Sequence, residues 1–262
     1  MLETSCHNLF HSRHATQQNL RLHAGRYQVK RVFIPTCGAS DWRKFLADPD
    51  TQWVRKASAM ELAVSWETAQ KTDRGLPLEV LKALDQHPSM AGANLLVALP
   101  EHKVTLMGRG KPSQNDVWAL LRVGSCYISM AVEGKAGEPF GPTLGEWREA
   151  ASEGKKERLD HLCQVLQTAT PPTPDLRYQL FHRTASAVLE ARRFGAPIAV
   201  MIVQSFRDDP LSWSDYCKFS SFLGATAVRG GITEARRTGT EKLFLGWIDS
   251  TVASDSDIAS VV

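Results

Sequence analysis

No stretch of this sequence is long and apolar enough to cross a bilayer. Its longest apolar runs, Asn94-Leu-Leu-Val-Ala-Leu-Pro100 and Ala196-Pro-Ile-Ala-Val-Met-Ile-Val203, fall far short of the roughly 18 residues that a spanning helix needs. The opening residues, Met1-Leu-Glu-Thr-Ser-Cys-His7, lack the basic start and apolar stretch of a signal peptide. The five cysteines are odd in number, widely scattered and without a Cys-x-x-Cys pair, which argues against a disulfide framework. Together these gaps lead us to expect a cytoplasmic protein with no membrane partner. An excess of one charge is missing too: 31 Lys and Arg against 28 Asp and Glu leave a net charge of +3. That balance neither announces nor excludes a nucleic-acid partner. Gly108-Arg-Gly-Lys111 lacks the Gly-x-x-x-x-Gly-Lys-Ser/Thr spacing of a nucleoside-triphosphate loop. Cys6, His7, His11 and His14 match no zinc spacing, so residues 1–30 read as a polar, solvated arm. No internal repeat is visible.

What is present is ordinary globular material. Hydrophobic residues make up 43% and charged residues 23% of 262 positions, and a single domain over 1–262 is the simplest reading. Ser58 to Lys71 has helical periodicity, with Ser58 as the expected cap and Glu61 as its capping-box partner. Pro77 opens a second helix, Leu78 to Asp85. Asn94 to Met107 is strand-like, with a tight turn expected at Pro100-Glu-His102. A loop over Gly108–Asn115 precedes two strands, Asp116–Arg122 and Tyr127–Glu133. Glu146–Gln167 and Arg177–Phe194 read as helices, the second closed by Gly195. Ile198–Gln204 is a buried strand, a helix lies near Asp215–Leu223, and Leu243–Ile248 supplies a last strand. The Ser/Asp-rich tail, 250–262, is expected to fray. This order is α/β with a mixed sheet. The seven tryptophans are dispersed and read as core.

The chemistry gathers between Gln114 and Glu138. Side chains alternate along a strand, so Glu133 and Lys135 share one face, about 7 Å apart. If Val123–Cys126 form a four-residue loop, Arg122 faces Tyr127 and Asp116 lies opposite Glu133. A two-residue loop would set Asp116 opposite Ala131, still diagonal to Glu133. Facing carboxylates repel unless a cation lies between them, and hard oxygen donors suit Mg²⁺ or Mn²⁺. A neighbouring lysine can orient or deprotonate a metal-bound water and shield phosphate charge. The competing reading is a cross-strand salt bridge on a half-exposed sheet.

Asp116, a hairpin, then Glu133-Gly134-Lys135 resembles the PD-(D/E)XK, restriction-endonuclease-like nuclease core. The wider pattern Ser58-Ala, Ser65-Trp-Glu67, Ser113-Gln-Asn-Asp116, Val132-Glu-Gly-Lys135 with Glu138-Pro-Phe-Gly141, and His182-Arg-Thr-Ala185 is similar to a bacterial family of that fold. The resemblance spans about residues 55–206 and implies an αβββαβ core with a mixed sheet, flanked by extra helices and a C-terminal strand. It implies a Mg²⁺- or Mn²⁺-dependent nuclease acting on DNA, with Asp116, Glu133, the Gly134 carbonyl and Glu67 holding the ion and Lys135 serving the attacking water. Gln114, Glu138, Arg177, His182 and Arg183 are the candidates for supporting or phosphate-binding roles. The sequence departs from the name-giving motif at Asn115, where that motif has proline. A homodimer is compatible with the resemblance. The main alternative is a member of the fold that has lost catalysis and serves as a binding or interaction module; a third is a metal-dependent hydrolase of small molecules, which would need a deep pocket.

Overall fold

Among the described residues, six strands assemble into one mixed sheet. They are β1 (Asn94–Val104), β2 (Ser113–Val123), β3 (Cys126–Lys135), β4 (Ile198–Ser205), β5 (Gly231–Glu234) and β6 (Lys242–Asp249), in the order β1-β2-β3-β4-β6-β5. The first three strands form an antiparallel meander; β4 lies parallel to both β3 and β6, and β5 closes the sheet antiparallel to β6. The computed structural model describes residue 32 and residues 36–108, 110–149, 152–235 and 239–261. The expected N-terminal arm and its Cys/His group therefore lie outside the described residues.

A short 3₁₀ helix, Ala39–Phe45, precedes α1 (Pro49–Gln52), α2 (Ser58–Ala69) and α3 (Leu78–Asp85). A parallel strand pair needs a long crossover. The first is made by α4 (Leu144–Glu149), α5 (Glu153–Leu166) and α6 (Tyr178–Phe194), which carry the chain from β3 to β4. After β4 comes α7 (Pro210–Phe222), and α8 (Asp255–Ala259) ends the described chain. Among the described residues no helix is long and apolar enough to cross a membrane.

The two faces of β3 feed two cores. Ile128, Met130 and Val132 pack with Leu62 and Trp66 of α2 and with Val80 and Leu84 of α3. Ala131 joins Phe181, Ala185 and Val188 of α6 on the other side. Every residue of β4 is buried, as a central strand covered on both faces requires. At Gly134 a Cβ would stand 2.0 Å from Leu62 Cδ1 and 3.1 Å from its Cγ, so any larger residue would force the buried Leu62 side chain of α2 to move. Trp42, Trp66, Trp118 and Trp247 are core residues, as expected.

Four expectations are corrected. Helix α2 has Ala57 at its N-cap with no side-chain cap; Glu61 instead accepts from the Lys56 N–H at 2.9 Å and the Ala253 N–H at 2.7 Å. The turn expected at Pro100-Glu-His102 lies inside β1, which runs on because Glu101 takes a left-handed φ of 52°. The span Glu146–Gln167 holds two helices, α4 and α5, with Ser152 at the N-cap of the second. The tail carries a helix: Ser254 and Asp257 form a capping box, and Ala39 N–H donates to the Val261 carbonyl at 2.7 Å. That bond ties the tail to the 3₁₀ helix Ala39–Phe45.

Candidate active site

The β2–β3 hairpin brings the acids together. Its turn is the pair Gly124-Ser125, with Gly124 at φ 55°, and Val123 pairs with Cys126. Arg122 nonetheless faces Tyr127 and Val117 faces Val132. The register is thus the one expected of the longer loop, and one residue further on it sets Asp116 beside Glu133. The Asp116 Oδ2 accepts the Gly134 N–H at 2.8 Å, which ties the acid to the neighbouring strand.

Glu133 is almost wholly enclosed, at 2% exposure. Its Oε1 accepts from the Lys135 ammonium at 2.7 Å and from the Gln179 amide at 2.7 Å. Its Oε2 accepts from Arg183 Nε, and Arg183 Nη2 lies 3.4 Å from Asp116 Oδ1. Gln179 and Arg183 stand one turn apart on α6, so both reach the same carboxylate. The Lys135 ammonium also lies 5.0 Å from the centre of the Phe140 ring.

A third acid completes a row across the sheet. His102 faces Asn115 and Pro100 faces Val117, so Glu101 on β1 stands level with Asp116. Gln114 donates to Glu101 Oε2 at 2.7 Å. Burial, followed by repulsion from Asp116, pushes the Glu101 carboxyl up to about 8. Burial and the Glu133 carboxylate push Asp116 up to about 7. Burial would raise Glu133 as well, but Arg183 and Lys135 outweigh it and hold this group down at about 2. Burial would likewise lower Lys135, yet Glu133 and Asp116 keep it above its usual value and charged.

The match to a known protein family covers residues 35–252, and the family is described as a domain of unknown function, DUF6946. The chain belongs to the DUF6946 family. No curated protein and no solved structure matches it.

Among the described residues of this DUF6946 chain, no three His, Cys, Asp or Glu side chains stand as a ready-made metal cage. The donor chemistry still suits a hard divalent ion. Asp116 and Glu133 offer carboxylate oxygens on adjacent strands. Glu101 acts electrostatically on Asp116, and the Glu138 carboxylate acts on Lys135. Four carboxylates therefore meet two cations, Lys135 and Arg183, and full ionisation would leave an excess of two negative charges. Burial raises the Asp116 and Glu101 carboxyls, and repulsion between neighbouring carboxylates adds to it.

The remaining expected residues of the DUF6946 chain divide sharply. Arg183 enters the site, and Gln114 touches it through Glu101. Glu138 accepts the Ala136 N–H at 2.8 Å beside it. Glu67 is engaged elsewhere: its Oε1 accepts the Trp42 indole N–H at 2.9 Å and the Thr36 hydroxyl at 3.4 Å. The reason is the packing of α2 on the Gly134 face of β3, opposite the face that carries Glu133 and Lys135. Gly134 meets Asp116 through its N–H rather than its carbonyl. Arg177 is held by Asp215 at 2.7 Å and by the Gly141 carbonyl at 3.0 Å. His182 turns to Ser113 Oγ, 2.8 Å from its Nδ1. Sequence reasoning missed Glu101 and Gln179; the spacing of Gln179 and Arg183 was the available signal for the latter.

Proposed function

We propose that this protein is a metal-dependent nuclease of the restriction-endonuclease-like fold that hydrolyses phosphodiester bonds in DNA in the cytoplasm. The observation that carries the reading is the convergence of Asp116, Glu133 and Lys135 at neighbouring positions of two paired strands. The element order α2, β1, β2, β3, α6, β4 supports the fold assignment, since helix, three-stranded meander, helix and parallel strand is the order the resemblance implies.

Asp116 and Glu133 would hold the ion. Bound there, Mg²⁺ or Mn²⁺ would supply Lewis acidity to a phosphoryl oxygen and lower the pKa of a water. The chain's own groups have definable tasks. Lys135 stays an ammonium between acids, so it orients the attacking water and offsets phosphate charge rather than removing a proton. Gln179 fixes Glu133 through its amide and also accepts the Gly141 N–H at 3.2 Å. Arg183 presents a planar fork of donors suited to phosphate oxygens.

The test is cleavage of supercoiled, linear duplex and single-stranded DNA by purified protein with Mg²⁺ or Mn²⁺. Wild type is expected to cut at least one of these, and Glu133→Ala and Lys135→Ala none. Absence of metal-stimulated cleavage by wild type on all three would sink the enzyme reading. One observation favours a second reading, a non-catalytic module of the same fold. The Arg183 guanidinium already neutralises Asp116 and Glu133, as a structural ion pair would. In that case Mn²⁺ binding that depends on Asp116 would be absent in calorimetry.

A further inference from the structure

Beside the acid row lies a pocket of opposite character. It encloses about 310 Å³ between the Gly110–Ser113 segment, α4, α5 and the start of α6. That is at the small end of organic-ligand sites, about 300–1,000 Å³. Lys111, Lys155 and Arg158 line it, and among the described residues no acidic side chain does.

Arg158 is the informative residue. It is only 6% exposed, and its Nη1 donates to the Lys111 carbonyl at 2.6 Å. Among the described residues its buried Nε and Nη2 have no well-aligned hydrogen-bond partner, although the Tyr178 hydroxyl interacts with the guanidinium. A buried guanidinium left with open donors is costly unless an anion meets it. The approach is shaped by Gly110, whose φ is 139° and where a Cβ would lie 3.2 Å from Arg158 Nη2. A side chain there would crowd the open donors.

Next to these cations the lining is aromatic, with the Lys155 ammonium 5.3 Å from the Trp147 ring centre. Trp147 and Tyr178 stack with ring centres 4.1 Å apart, and Tyr178 leans on His182 at 5.0 Å. Burial, reinforced by the Arg183 and Arg158 guanidiniums, holds the His182 imidazole down at about 3, so it adds no charge of its own near neutrality. Helix α6 thus presents two adjacent stripes. Gln179 and Arg183 face the acids, while Tyr178 and His182 face the basic pocket.

We propose that this pocket is a nucleotide-phosphate site, in which Arg158, Lys111 and Lys155 take a phosphate monoester and the Trp147–Tyr178 wall takes its organic part. Phosphate oxygens would satisfy the open Arg158 donors, and the cations would balance a dianion. An aromatic wall next to the charge suits a nucleoside better than a bare ion. The choice of a nucleoside rests on the nucleic-acid function proposed above; the phosphate assignment does not. Binding here needs no hydrolysis and no metal.

The experiment is titration calorimetry of the full-length protein with deoxyadenosine monophosphate, deoxyadenosine and inorganic phosphate, without added metal. A short deoxyoligonucleotide with and without a 5′-phosphate forms a further arm, separating a free nucleotide from a strand end as the source. Deoxyadenosine monophosphate should bind at least about tenfold more tightly than deoxyadenosine or inorganic phosphate, and Arg158→Gln should lose about tenfold or more. Lys111→Ala, on an exposed residue that leaves the fold intact, should lose several-fold in the same titration. Asp116→Asn should retain the binding, which separates this site from the hydrolytic one. Equal binding of deoxyadenosine and its monophosphate, or an unchanged affinity in Lys111→Ala, would overturn the proposal. A protein that cleaves DNA but binds no monophosphate would do the same while leaving the nuclease reading intact.

Discussion

Arg183 reaches Asp116 with Nη2 at 3.4 Å while its Nε donates to Glu133, so one guanidinium joins the acids of two strands. Two facing carboxylates in a buried sheet need a positive partner. In the metal-free protein Arg183 supplies it.

Removing that partner should therefore expose the repulsion. Arg183→Met leaves two buried acids short of positive charge, and the expected loss in urea denaturation is about 3–5 kcal/mol without metal. Adding Mn²⁺ should restore a larger part of the stability in Arg183→Met than it adds to wild type. Equal effects of Mn²⁺ on both proteins would show that the ion does not bind where the two acids meet.

The carboxyls set a pH dependence whose sign is fixed. Asp116, at about 7, and Glu101, at about 8, are raised above their ordinary values, so the stability linked to them is greatest at low pH and is lost as pH rises through 7 to 8. Glu133 is lowered to about 2, so its contribution is present above the ordinary carboxylate range and is lost as pH falls toward 2. Metal-free stability should therefore peak at mildly acidic pH. Mn²⁺ affinity should move the other way, rising as Asp116 ionises near neutrality. Calorimetry across this window checks both trends, and an affinity that is flat with pH would contradict them.

Glu101 should behave as a liability in the absence of metal. Glu101→Gln keeps an acceptor for Gln114 but removes a charge that burial and Asp116 oppose. Above pH 8 it should stabilise the protein by on the order of 1–2 kcal/mol, or about 2–8 °C in Tm. Below about pH 4, where the wild-type group is neutral in both the folded and the unfolded chain, the two melting curves should coincide.

Glu67 separates packing from metal chemistry. Its carboxylate holds Trp42 and Thr36 on the α2 side of the sheet, so Glu67→Ala should cost about 1–3 kcal/mol in stability. Mn²⁺ affinity should not change. A large loss of Mn²⁺ affinity in a folded Glu67→Ala protein would return Glu67 to the ion.

Much of this arrangement was readable from spacing alone. Period-two alternation put Glu133 and Lys135 on one face, and the hairpin put Asp116 near them. What spacing missed follows from backbone conformation and long-range packing. Pro100 read as a break, but the left-handed turn of the chain at Glu101 absorbs it within β1 and brings a third acid level with Asp116. On α6, helical periodicity groups Gln179 with Arg183 and Tyr178 with His182. It cannot say which pair meets the sheet until the helix is docked. The motif position assigns Glu67 to the ion, while the close approach of α2 over Gly134 sets its carboxylate against Trp42 and Thr36. The tail read as frayed from composition, although the Ser254–Asp257 capping signal was present; its anchor, the bond from Ala39 to Val261, joins the two ends of the described chain.

The most direct measurement is Mn²⁺-dependent cleavage of DNA by wild type beside Lys135→Ala, at a pH above 8 where Asp116 is ionised. The expected result is metal-stimulated cleavage by wild type and a loss of at least about 100-fold in Lys135→Ala, the scale on which a positioned proton-handling or charge-stabilising group acts. Equal cleavage by the two proteins, or none by wild type, would contradict the assignment of Asp116, Glu133 and Lys135 as a hydrolytic site.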